Sequence, residues 1–88
     1  MEKASWEVYI IQTESGKLYT GITTNLHRRF AAHLKYEKGA RFFRFSRPAA
    51  ILFREKQLNR SAATKREMKI KKMNRQEKFK LIEKGMES

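Results

Sequence analysis

Two stretches of sequence decide the fold, and they read Trp6-Glu7-Val8-Tyr9-Ile10-Ile11-Gln12 and Leu18-Tyr19-Thr20-Gly21-Ile22. Both are rich in aromatic and β-branched residues, which favour extended strands. The segment between them contains Gly16, and glycine is a common residue of tight turns. The pattern therefore predicts a β-hairpin.

A helical pattern follows the hairpin. Leu26, Phe30 and Leu34 recur at every fourth position, so they share one face of a helix that we expect to run to Lys35. Asn25 and the two threonines before it are candidate N-caps for this helix.

The helical pattern ends around Gly39. Residues 36–48 are predicted to form a loop that ends at Pro48 and carries basic side chains among phenylalanines. Residues 49–55 have the composition of a short, buried third strand.

Two more helices are predicted after that strand. Asn59 or Ser61 can cap a second helix that runs to about Met73. Asn74 and Glu77 have the spacing of a capping box and would start a third, for which Gly85 is the expected stop. The order β-β-α-β-α-α indicates an α/β fold with a small three-stranded sheet flanked by helices. We expect a single domain over residues 1–88, with a core from about 6 to 84.

Composition narrows the class of protein. Lysine and arginine number 21 against 9 acidic residues, which gives a net charge of +12 and points to a polyanion, most simply nucleic acid. The acidic residues are all glutamate and cysteine is absent, which excludes multi-aspartate metal centres, disulfides and Cys-based zinc sites. No run approaches the roughly 18 apolar residues of a membrane span, and no signal peptide is evident. We therefore expect a cytoplasmic, monomeric protein without membrane partners.

Five polar or aromatic residues stand out as candidate site residues: Tyr9, Tyr19, Arg29, His33 and Glu67. Their predicted positions bring them together on one side of the sheet. Each also has a structural explanation. Glu67 can form an ion pair with an arginine such as Arg29 instead of binding a hard divalent cation. The two tyrosines can serve packing, and His33 can be a hydrogen-bonded core residue.

These residues resemble the motifs of the GIY-YIG nuclease superfamily, in particular its short stand-alone bacterial members. The two name-giving motifs fall on residues 7–9 and 19–21. The family's arginine helix resembles residues 25–33, its glutamate helix resembles residues 64–72, and the loop of the short members resembles residues 38–41 followed by Arg47-Pro48. The resemblance covers roughly residues 6–84.

The resemblance implies a one-metal phosphodiesterase site. Glu67 would bind Mg²⁺ or Mn²⁺, and Arg29 would stabilise charge on the phosphate. One tyrosine, with Tyr9 preferred over Tyr19, would help to deprotonate the attacking water, and His33 would assist.

The sequence also departs from the family pattern. Glu7 replaces the glycine of the first motif and Thr20 the isoleucine of the second, and neither position supplies a catalytic atom. Asn74 is a loose candidate for the catalytic asparagine of some homing enzymes, although a helix cap explains it better. An attached DNA-binding domain, which gives related enzymes their target choice, does not fit in this length.

The leading interpretation is a metal-dependent endonuclease or nickase that hydrolyses DNA with low intrinsic sequence specificity, in DNA repair or processing, with a targeting protein as a further candidate partner. The first alternative is a non-catalytic nucleic-acid-binding module that keeps the nuclease fold. A weaker alternative is an RNA-associated basic protein, and RNA or single strands stay open as ligands. Candidate nucleic-acid contacts are Lys17, Arg28, Lys38, Arg41, Arg44, Arg47, Lys71 and Lys72.

Overall fold

A computed structural model describes residues 5–35 and 46–87 of the chain. Its elements are β1 (Trp6–Thr13), β2 (Leu18–Thr23), α1 (Leu26–Lys35), β3 (Pro48–Gln57), α2 (Arg60–Lys71) and α3 (Arg75–Glu87). The predicted order β-β-α-β-α-α and the α/β class are confirmed. None of these helices is long and apolar enough to cross a membrane.

Strand β1 is the centre of the sheet. It pairs antiparallel with β2 on one side and with β3 on the other, so the strand order is β2-β1-β3. A central strand covered on both faces needs apolar residues at successive positions, which explains the uninterrupted run in the middle of β1. The hairpin turn contains Gly16, whose φ of 90° lies in the region that favours glycine.

The sheet separates two hydrophobic clusters. On one face Val8 and Ile10 pack against Ala63 and Ile70 of α2, with Ile82 of α3 completing the cluster. On the other face Tyr9 and Ile11 pack with Leu26 and Phe30 of α1. Helix α1 therefore covers one face of the sheet, and α2 and α3 cover the other.

The predicted helix starts are confirmed by their caps. The Asn25 side-chain oxygen accepts a hydrogen bond from the Arg28 backbone nitrogen at 3.1 Å. Asn59, rather than Ser61, caps α2, and it accepts from the backbone nitrogen of residue 62 at 2.8 Å. At the start of α3, Asn74 and Glu77 exchange hydrogen bonds of 2.8 and 3.0 Å, which form the predicted capping box.

The prediction that Gly85 ends the third helix is wrong, because α3 continues to Glu87. The backbone of Gly85 lacks the positive φ of a glycine cap. A Cβ atom at this position would lie 3.4 Å from the Phe53 ring. The glycine therefore lies where α3 approaches β3 closely.

Candidate active site

The position of Tyr9 depends on the glycine opposite it. Tyr9 and Gly21 are direct partners in the β1–β2 pair, so their side-chain positions share a face of the sheet. A Cβ atom at position 21 would lie 2.5 Å from the Tyr9 hydroxyl, so the tyrosine ring would have to move to make room for it. Since Gly21 has no side chain, the Tyr9 ring lies across β2. Gly21 belongs to the second motif, and its role becomes visible only in this contact with Tyr9.

Three rings from three elements meet at this point. The Tyr9 and Tyr19 ring centroids are 6.3 Å apart, and Tyr19 meets His33 of α1 edge-on at 5.5 Å. The Tyr9 hydroxyl lies 3.4 Å from His33 Nε2, a long hydrogen bond. Tyr9 and His33 are only 1% and 2% exposed, respectively. We call these three side chains, Tyr9, Tyr19 and His33, the aromatic cluster.

Charges from two helices act on the Tyr9 hydroxyl. Burial raises the pKa of Tyr9 above its usual value, and the neighbouring Tyr19 adds to this. Arg29 of α1 lowers the pKa of Tyr9, whereas the negative charge of Glu67 on α2 raises it further. Both charges are thus within electrostatic range of the hydroxyl. Burial, followed by the charge of Arg29, lowers the pKa of His33 to about 4, so His33 is neutral near pH 7.

Glu67 approaches from the face of the sheet that α1 does not cover. On α2, Arg66 binds Glu55 of β3 at 2.9 Å, so the flank of α2 with Arg66 faces β3. Glu67 lies on the opposite flank of the buried stripe and hence towards β2. Glu67 therefore comes from a different face of the sheet than Arg29 and His33, since α1 and α2 cover opposite faces, while its charge still acts on Tyr9. The expected convergence of all five side chains on one side of the sheet stays a prediction.

The partner of Glu67 also differs from the one suggested by the sequence. Its carboxylate lies 3.4 Å from Lys71 Nζ, one turn along the same helix, and not on Arg29. The side chain is 18% exposed, so a ligand can reach it. Within the described ranges, no three histidine, cysteine or acidic side chains are grouped as metal ligands. A cation here would therefore have Glu67 as its carboxylate ligand and complete its shell with water and phosphate.

Sequence reasoning missed an ion pair on the same face of the sheet as Tyr9. Glu7, at the position of the first-motif glycine, is 8% exposed, and its two carboxylate oxygens accept hydrogen bonds from Nε and Nη2 of Arg54, both at 2.8 Å. This contact holds the pKa of the Glu7 carboxyl below its usual value, and Lys56 and His27 lower it further. A glutamate within an apolar strand was the one sequence signal for this pair.

The candidate nucleic-acid contacts are distributed over the surface. Lys17, Arg28, Arg47 and Lys72 are exposed, whereas Lys71 pairs with Glu67. Lys38, Arg41 and Arg44 lie outside the described residues. A role of these cations in binding stays a prediction.

Comparison with known proteins gives the family. The family model described as the GIY-YIG catalytic domain matches residues 5–80 of the chain. The chain belongs to the GIY-YIG family. A UPF0213 protein of Desulfotalea psychrophila is 44% identical over 92% of this chain and 74% of its own length. A UPF0213 protein of Photorhabdus laumondii is 42% identical over 93% of this chain and 78% of its own length.

A solved structure resembles the fold as well. The solution NMR structure of the UPF0213 protein BH0048 from Bacillus halodurans matches with a TM-score of 0.56 and 25% identity, covering 92% of this chain and 86% of that chain. The resemblance suggested by the motifs is thus confirmed, and the GIY-YIG domain places the chain in a nuclease superfamily.

Proposed function

We propose that the protein is a metal-dependent endonuclease that hydrolyses DNA phosphodiester bonds with low intrinsic sequence specificity. The arrangement around Tyr9 carries this proposal: a buried hydroxyl contacts His33, and opposite charges from Arg29 and Glu67 act on it. A basic GIY-YIG domain with a net charge of +12 is suited to a nucleic-acid substrate.

Arg29 would stabilise the developing charge on the phosphate. Hydrolysis of a phosphodiester places additional negative charge on the phosphoryl oxygens in the transition state. Arginine keeps its positive charge at any physiological pH and presents several donors in a fixed plane. Arg29 is exposed, while its charge still acts on both Tyr9 and His33. Arg29 can therefore contact a phosphate that lies beside the aromatic cluster.

Tyr9 and His33 would handle the proton of the attacking water. Because the pKa of His33 is lowered to about 4, its ring is neutral and can accept a hydrogen bond from the Tyr9 hydroxyl at Nε2. The raised pKa of Tyr9 keeps its own proton in place in the free protein. The base function therefore requires a change in the surrounding charge when substrate binds.

Glu67 would hold the metal ion. Glu67 raises the pKa of Tyr9 in the free protein, and it is a partly exposed carboxylate whose contact to Lys71 is long. These features fit a hard cation such as Mg²⁺ or Mn²⁺, which prefers oxygen ligands. Such a cation would oppose the charge of Glu67, favour loss of the tyrosine proton and stabilise negative charge on the phosphate.

One observation favours the alternative of a binding module without hydrolysis. The Tyr9 side chain is 1% exposed, and a general base has to reach its water. Tyr19, which is partly exposed, is the better placed of the two tyrosines for contact with solvent. The two functions differ in whether bound DNA is cut.

The test is an incubation of purified protein with supercoiled, branched and single-stranded DNA and with RNA, in Mg²⁺, Mn²⁺ or EDTA. We expect cleavage of DNA with either metal and none with EDTA. Glu67→Gln should abolish cleavage and keep or tighten DNA binding, because it removes one negative charge. Glu83→Gln on the exposed part of α3 makes the same charge change and should cleave like wild type.

Metal-dependent cleavage by a clean preparation of Glu67→Gln would contradict the proposed metal site. Metal-independent binding without cleavage of any substrate would favour the binding module instead. RNA cut in preference to DNA would retain the chemistry and change the substrate.

A further inference from the structure

We propose that Arg54 and Lys56 of β3 form a second phosphate-binding subsite, and that Glu7 holds Arg54 in place for it. This inference rests on the proposed function, because the ligand is the backbone of the nucleic acid that the site around Tyr9 would cut. Neither Arg54 nor Lys56 falls in a GIY-YIG motif, whereas Glu7 stands at the position of the first-motif glycine.

The geometry of the pair leaves part of Arg54 available. A guanidinium carries five N–H donors, and Glu7 receives its hydrogen bonds from Nε and Nη2. The donors on Nη1 have no partner in residues 5–35 and 46–87. The Arg54 side chain is 48% exposed, whereas that of Glu7 is 10% exposed. The buried Glu7 carboxylate therefore holds one edge of the Arg54 guanidinium, and the Nη1 edge of the guanidinium remains available to a ligand.

The charge around Glu7 exceeds what an ion pair needs. Arg54 neutralises the carboxylate, and the charge of Lys56 also acts on it favourably. Lys56 is the direct strand partner of Glu7 and lies on the same face of β3 as Arg54. The group thus has an excess of positive charge beside a rigid, pre-oriented guanidinium. Arginine held in this way suits the oxygens of a phosphate.

The position relative to Tyr9 fits one extended polyanion. Tyr9 and Arg54 are direct partners in the β1–β3 pair and share a face of the sheet. The Tyr9 ring lies over Gly21 of β2, on the side away from β3. Neighbouring strands are about 4.8 Å apart, so β2 and β3 are separated by about 10 Å. This span is short enough for one DNA strand to contact both places through phosphates that lie close together along it.

The ligand class follows from these features. A small anion would contact only the group around Arg54. An extended nucleic-acid strand would contact both this group and the site around Tyr9. We infer that the subsite binds a backbone phosphate close to the scissile one on the same strand. Such a contact positions the strand without reading its sequence.

The experiment measures binding in EDTA, so that hydrolysis plays no part. A DNA duplex of fixed length is titrated at several salt concentrations with wild type, Arg54→Gln and Arg66→Gln. Arg66 is the matched control, because it forms the other arginine–glutamate pair, with Glu55, on the face of the sheet away from Tyr9. Removal of one phosphate contact should flatten the slope of log affinity against log salt by about 0.9. We expect this flattening in Arg54→Gln and not in Arg66→Gln.

A purely structural role for the pair predicts lower stability in both variants and an unchanged slope, and that result would overturn the inference. If Arg54→Gln does not fold, Lys56→Gln is measured instead, because Lys56 is exposed and has no ion pair among the described residues. It should flatten the slope to a similar extent, and an unchanged slope there would equally overturn the inference. Failure of wild type to bind DNA would instead contradict the proposed function itself.

Discussion

Gly21 and Tyr9 are complementary across the first two strands of the sheet. A Cβ atom at position 21 would lie 2.5 Å from the Tyr9 hydroxyl and 2.7 Å from the ring carbon that bears it. The same atom would lie 3.2 Å from the Tyr19 ring. The glycine of the second motif is therefore required by the tyrosine of the first. The backbone of Gly21 lacks a positive φ, so the requirement comes from the side chains.

Gly21→Ala should displace the Tyr9 ring from its place over β2. Forcing an extra methyl group into a packed site typically costs about 1 to 3 kcal/mol, and we expect a loss of that size in the free energy of unfolding. Cleavage should fall with it, because the hydroxyl loses its position beside His33. Chemical denaturation and the cleavage assay are the measurements.

Gly85→Ala is the control for that substitution. The new methyl group would be in ordinary contact with Phe53 at 3.4 Å, and alanine favours a helix interior by up to about 1 kcal/mol over glycine. Its stability should equal or exceed that of wild type. If Gly21→Ala is as stable and active as wild type, the Tyr9 ring can adopt a second position without loss, and the prediction is wrong.

Tyr9→Phe and Tyr19→Phe decide which hydroxyl handles the proton. Each substitution removes a single oxygen, so the fold should survive. The catalytic tyrosine should lose about 10²-fold or more in single-turnover rate, the size of a general-base contribution. The contact with His33 favours Tyr9, whereas exposure favours Tyr19. Full activity of both variants would show that the two hydroxyls serve packing alone.

Much of the fold was predictable because its signals are local. The caps at Asn25, Asn59 and Asn74 depend on side chains that reach only three residues along the chain. The hairpin likewise depends on neighbouring strands and a turn glycine. Local patterns of this kind are present in the sequence itself, and the structure follows them.

The rest depends on contacts between distant parts of the chain. Glu7 and Arg54 are 47 residues apart and meet only through the register of β1 with β3. Gly85 looked like a helix stop, but α3 continues to Glu87 and passes the Phe53 ring of β3 at this position. The approach of Glu67 from the opposite face likewise follows from how α2 packs, which helical periodicity does not specify.

Stability should fall as the solution is acidified, in part because of His33. The unfolded chain takes up the proton near pH 6.5, whereas the folded state does so only near pH 4. Between these values the unfolded state binds more protons, so stability rises with pH. His33 is 2% exposed, and its full contribution over this range is about 3 kcal/mol.

His33→Gln isolates this effect, since glutamine does not titrate. The difference in unfolding free energy between wild type and variant should be largest above pH 6.5 and shrink towards pH 4. Denaturation curves at several pH values measure it, and His27→Gln, at an exposed position of α1, serves as control. A constant difference across the range would mean that His33 titrates normally in the folded protein.

The basic residues 38–47 should contribute to DNA binding through their charge. Arg47 is exposed, and its backbone carbonyl accepts a hydrogen bond from the Glu14 amide at 2.9 Å, which holds this residue beside the hairpin turn. Replacing Arg41, Arg44 and Arg47 together by alanine should flatten the salt dependence of log affinity by about two to three units of slope. Because backbone contacts do not read sequence, affinity should fall equally for all duplexes. Salt titrations at matched stability test this, and an unchanged slope would show that the loop cations are a solvated surface whose phenylalanines close the core.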